Sequence, residues 1–177
     1  MGAANATARA KVQAAAKGGS VGDEGSGCVL PVSFDIAAKW KPKAVKGNST
    51  LEVTQQANVT LTCEIDAKPA GNIGFIRVWV GGSADDDPRE TLEAFVEKEA
   101  EDPDEAVFIQ TKAGPYSAVE ADYLSTNEFL NEPKKERALA FTTPKGVVLL
   151  HLGGLDSKEH KKMLPAYELA RTSVRAK

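Results

Sequence analysis

Residues 72–80, NIGFIRVWV, and residues 146–152, GVVLLHL, carry large apolar side chains on both of their alternating faces. Successive side chains of a β-strand point to opposite faces of the sheet, so a strand with one wet face alternates apolar and polar residues. Neither stretch alternates in this way. Each contains one ionisable residue among its apolar ones, Arg77 in the first and His151 in the second. The two stretches therefore predict central strands of a sheet that is covered on both faces.

Further stretches complete the predicted sheet. Residues 58–66 alternate cleanly, which is typical of an antiparallel strand with one wet face. Residues 143–146, TPKG, have the composition of a tight turn and predict a hairpin between residues 137–143 and 146–152. The other strand candidates are residues 29–36, 106–111 and 117–123.

Two helices are indicated by their start signals. Asp87, followed by Pro88 and Glu90, has the pattern of an N-cap, a first helical residue and a capping box. Asp156 and Glu159 repeat the capping spacing before the last segment of the chain. A run of strands with one helix inserted and one at the end predicts an α+β fold, a twisted antiparallel sheet with helices packed on its faces.

Length and charge exclude several classes of protein. A chain of 177 residues is about one domain, and no apolar run approaches the ~20 residues of a membrane helix. The net charge of −3 argues against nucleic acid as a partner. We expect a monomer that binds no nucleic acid.

The first 27 residues differ in composition from the rest, because they are rich in Ala and Gly and poor in bulky apolar side chains. Such a segment cannot offset its ordering entropy by burial. We therefore predict a flexible tether over residues 1–27, with a Gly/Ser linker over residues 18–27, and a single globular domain over residues 28–177.

Cys28 and Cys63 are the two cysteines of the chain. Cys28 opens one strand candidate and Cys63 lies inside another, and the two would come together if these strands were neighbours in the sheet. A disulfide between them would close the intervening chain into a loop and stabilise the fold by roughly 2–4 kcal/mol. Two buried free thiols, in a cytosolic protein, are the alternative. We favour the disulfide and therefore an exported protein, since no other cysteine competes.

Candidate catalytic and metal sites are sparse. His151 and His160 have no second ligand at metal-binding spacing, and two cysteines are too few for a zinc site. No nucleophile elbow and no phosphate-binding glycine loop is present. We expect no catalytic residue, no metal and no cofactor. His151 is interpreted as a hydrogen-bonded structural residue, with a general base as the alternative.

An acidic stretch over residues 85–105 carries 11 acids against Arg89 and Lys98. A solvated helix face explains it better than a calcium loop, because the glycine and distal Glu of an EF-hand are missing. It is also the best candidate for an interaction surface. The residues of this predicted surface are Asp85, Asp86, Asp87, Glu90, Glu97 and Trp40, the last together with the loops beside it.

A family resemblance is carried by two short motifs. Residues 32–42, VSFDIAAKWKP, and residues 70–79, AGNIGFIRVW, followed by a capped helix, resemble the corresponding elements of PsbP-like proteins and more closely of actinobacterial LpqN-type lipoproteins. The resemblance covers residues 29–175. It implies a compact α/β/α fold, an N-terminus lipidated on a cysteine upstream of the tether, and a protein that is mostly non-catalytic.

The expected function follows from this resemblance. We predict a non-catalytic extracytoplasmic lipoprotein domain that acts as an interaction or regulatory module at the bacterial cell envelope. Its partner would be an envelope or membrane protein, for example in envelope-stress signalling or transport. The alternative is a small ligand-binding protein or hydrolase that uses His151, and a pocket with His151 at its wall would favour it.

Overall fold

The computed structural model describes residues 11–46, 55–127 and 129–177. These residues form eleven strands and two α-helices, α1 (Pro88–Glu99) and α2 (Ser157–Thr172). Short 3₁₀ turns cover Lys68–Ala70 and Pro103–Glu105. The strands are β1 (Lys17–Val21), β2 (Val32–Ala37), β3 (Lys41–Ala44), β4 (Gln55–Gln56), β5 (Val59–Asp66), β6 (Gly74–Gly81), β7 (Val107–Ala113), β8 (Tyr116–Asn127), β9 (Glu132–Thr143), β10 (Gly146–Gly154) and β11 (Arg175–Ala176).

The large sheet is antiparallel and has the order β3-β5-β6-β10-β9-β8-β7, with β4 paired to β5. The two doubly apolar stretches are its centre, because β10 lies between β6 and β9. The tight turn at residues 143–146 joins β9 to β10 with Gly146 opposite Thr143. The predicted α+β fold is therefore confirmed.

The two faces of this sheet belong to two separate cores. Val148, Leu150 and Leu152 pack with Met163 and Tyr167 of α2. On the other face, the buried residues of the sheet pack with those of α1; they include Val147, Leu149, Trp79, Leu92 and Phe95. The central strands are apolar on both faces because a helix covers each of them. Ile73 is the exception among the predicted apolar positions, because it lies just before β6 and is 55% exposed.

A small second sheet, β1-β2-β11, corrects the predicted tether. Residues Lys17–Val21 pair with β2, and Val21 is fully buried, so the prediction of a flexible linker over residues 18–27 is wrong for this strand. Gly18 is needed there for close packing, since a Cβ would lie 2.4 Å from the Cα of Ala38. Of the predicted tether, residues 1–10 lie outside the described residues.

Both helices begin where their capping signals predict. The Asp87 carboxylate accepts a hydrogen bond of 3.0 Å from the backbone N–H of Arg89. The Asp156 carboxylate accepts one of 2.7 Å from the N–H of Glu159. These bonds satisfy amides that the first turn of each helix leaves without a partner, which explains why the sequence signal located both starts.

The Cys28–Cys63 disulfide is present, with the two Cα atoms 6.0 Å apart. It joins the segment before β2 to the middle of β5, and so connects the small sheet to the large one. The predicted pairing is confirmed. Trp40 fills the corner after β2, where it is 6% exposed and packs in the same core as Cys28 and Cys63.

Candidate functional site

The face of the large sheet that α1 covers changes from apolar to polar along its strands. Under α1, the paired residues Val119, Ala140, Leu149 and Trp79 form an apolar floor. Two residues further along the same face, His151 pairs with Arg77, and two residues beyond that row Glu136 pairs with Tyr123. Since α1 ends at Glu99, the change to polar residues lies near its C-terminal end.

His151 and Glu136 are the centre of this polar part. Both are 3% exposed, and the Nε2 of His151 contacts the Oε1 of Glu136. The Nζ of Lys134 lies 3.0 Å from the second carboxylate oxygen of Glu136 and also donates to the carbonyl of Gly154. The carboxylate is therefore held on both oxygens, as a buried charge requires.

The charge state of Glu136 follows from these partners. Burial by itself raises the pKa of the carboxyl group, but the neighbouring His151 and Lys134 favour the charged form more strongly. The net effect lowers the pKa of Glu136 to about 2. Glu136 is therefore a carboxylate throughout the physiological range.

Glu99 approaches the pair from α1. Its Oε1 accepts a hydrogen bond of 2.8 Å from the Nε2 of Gln56. Glu99, Glu136 and His151 each offer one ligand atom, and these atoms all lie within 4.8 Å of one another. An imidazole nitrogen and two carboxylate oxygens in this arrangement have the composition of a divalent metal site.

Gly153 provides the space for the buried pair. A Cβ at this position would lie 3.1 Å from the Cε1 of His151 and 3.4 Å from the Oε1 of Glu136. Both distances are at or below ordinary van der Waals contact, so a side chain here would press on both residues. The Gly-Gly bend at the end of β10 is thus part of the site.

A cleft of about 830 Å³ opens from this pair to the surface. Its polar wall includes Glu64 and Arg77, whose side chains form an ion pair of 2.8 Å. The Arg77 guanidinium also lies over the ring of Phe75, 4.7 Å from its centroid. The apolar part of the lining includes Ile73, Phe75, Phe129 and Leu155. The cleft thus combines a polar inner end with an apolar wall.

Three buried polar atoms of the cleft residues have no hydrogen-bond partner among the described residues: Gln56 Oε1, Trp79 Nε1 and His151 Nδ1. The side chain of Tyr123 lies on the same face of the sheet, directly opposite Glu136 in the strand register. Burial raises the pKa of Tyr123, and the negative charges of Glu136 and Glu99 raise it further, so its hydroxyl remains a donor. Each buried polar atom without a partner costs about 1–3 kcal/mol of stability. Such atoms are few in native proteins, so a group of them in one cleft indicates a binding site.

Comparison with known proteins identifies the family. A family model described as an uncharacterised lipoprotein matches residues 1–174. The chain belongs to this lipoprotein family. Membership implies a membrane-anchored location at the cell envelope. A search of curated proteins gives no match. In the described part of this lipoprotein, neither helix has the length and apolar character of a membrane span.

Among solved structures, the lipoprotein is similar to the solution structure of cyanobacterial PsbP (CyanoP) from Synechocystis. The TM-score is 0.55 at 9% sequence identity, over 97% of this chain and 99% of that one. At this identity the similarity shows the fold alone. The PsbP-like fold implied by the two sequence motifs is therefore confirmed.

The predicted interaction surface of the lipoprotein lies away from the cleft. Asp85, Asp87, Glu90 and Glu97 are exposed and Asp86 is half-buried, so the acidic side of α1 and its preceding loop is accessible. Trp40 does not belong to this surface, because it is buried in the core at the corner after β2. Including Trp40 among the surface residues was wrong. The role of the acidic residues remains a prediction.

His160, the second histidine, lies elsewhere. It is buried on α2 beside a second cavity of about 840 Å³, whose lining includes Asp122 and Arg137. Burial and the positive charge of Arg137 lower the pKa of His160 to about 4. His160 is therefore a neutral imidazole at physiological pH, and its Nδ1 has no partner among the described residues.

Sequence reasoning found His151 but missed Glu136 and Glu99. A signal for Glu136 was present, because the turn at residues 143–146 places Ala138 opposite His151, and Glu136 is the next residue on that face. A charged residue in an inward series with Ala138 and Ala140 is itself unusual. Glu99 carried no such signal, since it lies among many acids of one helix.

Proposed function

We propose that this lipoprotein is a non-catalytic binding domain at the bacterial cell envelope, and that it binds a small polar molecule in the cleft beside His151. The observation that carries the proposal is the set of unpartnered buried atoms on Gln56, Trp79 and His151, which line one cleft of about 830 Å³. Their hydrogen-bonding capacity is unused by the described protein groups, and a polar ligand would use it.

The apolar side of the cleft limits the ligand. Ile73, Phe75, Phe129 and Leu155 offer contact area to carbon atoms, while Lys134 and the Glu64–Arg77 pair offer charge. A pocket with a mostly apolar lining and a few placed polar groups is typical of small-molecule binding. The ligand class that fits best is a compact molecule with polar groups at one end and an apolar remainder.

Several contacts favour binding over turnover. A histidine that activates a side-chain nucleophile lies within hydrogen-bond reach of a hydroxyl or thiol. The Nε2 of His151 instead contacts Glu136, and among the described residues no hydroxyl or thiol is hydrogen-bonded to the imidazole. Both cysteines are in the disulfide. This supports the ligand-binding form of the alternative prediction over the hydrolase form.

The disulfide supports the proposed extracytoplasmic location, because such bonds persist in oxidising compartments. Since the sulfur atoms of Cys28 and Cys63 are joined, neither is free to carry a lipid. We propose that the lipid anchor lies at the N-terminal end of the protein, as the resemblance to actinobacterial LpqN-type lipoproteins implies. The tether to the membrane would then comprise residues before Ala15, whose N–H donates to the carbonyl of Pro165 in α2.

A second candidate function uses the acidic surface as a docking site for an envelope or membrane protein, in a regulatory or transport-assisting role. The exposure of Glu90 and Glu97 on one side of α1 supports it. The test is capture from envelope extract with the wild type and with Glu90→Lys/Glu97→Lys. Asp87 is left unchanged because it caps α1. Equal capture of the same proteins by both forms would remove this surface from the function.

The test of the binding cleft is a ligand screen on the purified domain in the presence of a chelator. Sugars, amino acids, short peptides and phosphate esters are screened by thermal shift and by backbone amide NMR. We expect hits to shift amides of β6, β9 and β10 around the cleft. Trp79→Phe, which keeps the ring packing and removes one donor, should bind a hit at least several-fold more weakly.

The matched control is Glu97→Gln on the exposed side of α1, which should bind each hit like the wild type. Hits that shift only amides outside the cleft, or that bind Trp79→Phe and the wild type equally, would contradict the proposal. So would a screen in which no compound of these classes binds.

A further inference from the structure

We propose that Glu99, Glu136 and His151 bind one divalent transition-metal ion at the inner end of the cleft. This inference rests on the proposed function, since it names a ligand of the same cleft. The three ligand atoms lie within 4.8 Å of one another, and they come from three different elements, α1, β9 and β10. A single ion in their midst would reach all three after small side-chain rotations.

The donor set selects the class of metal. Calcium and magnesium prefer all-oxygen sites, whereas an imidazole with carboxylates suits zinc and its first-row neighbours. Three protein ligands also leave a coordination position open, which is typical of sites that bind a further molecule. Here that position would face the cleft, whose lining includes all three residues.

Burial separates this group from an ordinary cluster of surface acids. Glu136 and His151 are each 3% exposed. The Nδ1 of His151 has no hydrogen-bond partner among the described residues, and the other ring nitrogen is engaged only within the group, by Glu136. Metal binding by the imidazole would therefore break no hydrogen bond to the rest of the described protein.

The neighbours of the three residues already orient them. Gln56 donates to one oxygen of Glu99, and Lys134 holds the outer oxygen of Glu136 at 3.0 Å. The ring of His151 is packed against the ring of Phe95, with centroids 5.2 Å apart. Gly153 leaves the space beside His151 and Glu136 free of a side chain. Such outer partners, which fix the ligands of a metal, are a regular part of metal centres.

The positive charge of Lys134 is the feature that opposes a cation. Its Nζ is shared between Glu136 and the carbonyl of Gly154, and its side chain is 19% exposed. An exposed route of this kind lets the ammonium move toward water while it keeps the Gly154 contact. Lys134→Gln removes this positive charge, so the variant should bind the metal more tightly than the wild type.

The test is titration of the purified domain with Zn²⁺ alone, after dialysis against a chelator and in competition with a fluorescent zinc indicator. We expect one zinc ion per chain. Glu99→Gln should weaken binding at least tenfold, whereas Glu97→Gln, the same change on the exposed side of the same helix, should leave it unchanged. Glu99 is only half-buried, so its variant is expected to fold.

Histidine NMR supplies a readout that a folding defect cannot imitate. The chain has two histidines, so zinc binding should shift the imidazole signals of His151 and leave those of His160 in place. Equal affinity of Glu99→Gln and Glu97→Gln, shifts at His160 alone, or an adventitious surface site only would overturn the inference. So would the absence of a one-to-one complex.

The two proposals fail separately. Small-molecule hits are sought with a chelator present, so a domain that binds them but binds no zinc keeps the proposed function and loses the metal site. A domain that binds zinc at His151 but none of the screened molecules keeps the metal site and loses the polar small-molecule ligand.

Discussion

His151 and Glu136 contact each other across two central strands of the sheet, and Gly153, two residues after His151, leaves them the space to do so. The contact is diagonal, because the partner of His151 in the register is Ala138. A buried carboxylate such as that of Glu136 is costly unless it is held by further bonds. Lys134 supplies one of these bonds to Glu136. The unused hydrogen-bonding capacity of the pair faces the cleft at the end of α1, where a ligand could use it.

The role of Gly153 is tested by Gly153→Ala. The added methyl group would lie 3.1 Å from the imidazole of His151, so we expect a loss of about 1–3 kcal/mol in the free energy of unfolding. Urea denaturation measures it. Gly82→Ala is the control, because a Cβ there meets nothing within 4 Å and its effect should stay within about 0.5 kcal/mol. Equal effects of the two changes would contradict the tight packing at Gly153.

We expect the stability of the protein to fall at low pH because His160, on α2, is buried as a neutral imidazole. The pKa of His160 is about 4 in the folded chain and 6.5 in the unfolded one, so the unfolded chain binds the proton first as the pH falls. The contribution of the neutral His160 to the free energy of unfolding is fully present above pH 6.5. It decreases by about 2–3 kcal/mol as the pH falls toward 4.

The measurement for His160 is the free energy of unfolding from pH 7 to pH 4 in the wild type and in His160→Gln. The variant should show a shallower decline over this interval, whatever its stability at pH 7. Lys162→Gln, an exposed change on the same helix, should keep the wild-type slope. A parallel decline in all three proteins would show that His160 does not titrate in this way.

The disulfide should contribute to stability through the loop it closes. Reduction, or Cys28→Ser/Cys63→Ser, is expected to lower the free energy of unfolding by roughly 2–4 kcal/mol. Maleimide labelling of the unreduced, denatured chain should find no free thiol, and labelling after reduction should find both. Two reactive thiols in the unreduced protein would instead favour the alternative of free cysteines.

Within the acidic surface, Asp87 has a structural role as the N-cap of α1, whereas Asp85 contributes only its charge. Asp87→Ala removes the acceptor for the N–H of Arg89 and should cost about 1 kcal/mol. Asp85→Ala removes the same charge from the exposed loop and should cost less than about 0.5 kcal/mol. Thermal unfolding of both variants measures the difference. A partner that senses only charge should respond equally to the two.

The sequence by itself determined which strands are central and where both helices begin, because each of these depends on a local or alternating pattern. Residues 72–80 and 146–152 are apolar on both faces, and Asp87 and Asp156 carry their capping partners within three residues. Strand β1 of the small sheet was missed, since Val21 is its one buried apolar side chain and its close approach to Ala38 depends on Gly18, so no alternating pattern marks it.

Only the tertiary structure decided the site. Glu99, Glu136 and His151 are separated by up to 52 positions in the chain, and they meet because α1 ends over a region of its sheet face where polar residues replace apolar ones. No local pattern encodes where a helix ends relative to a distant strand, because that position is set by the packing of Leu92 and Phe95 on the apolar floor.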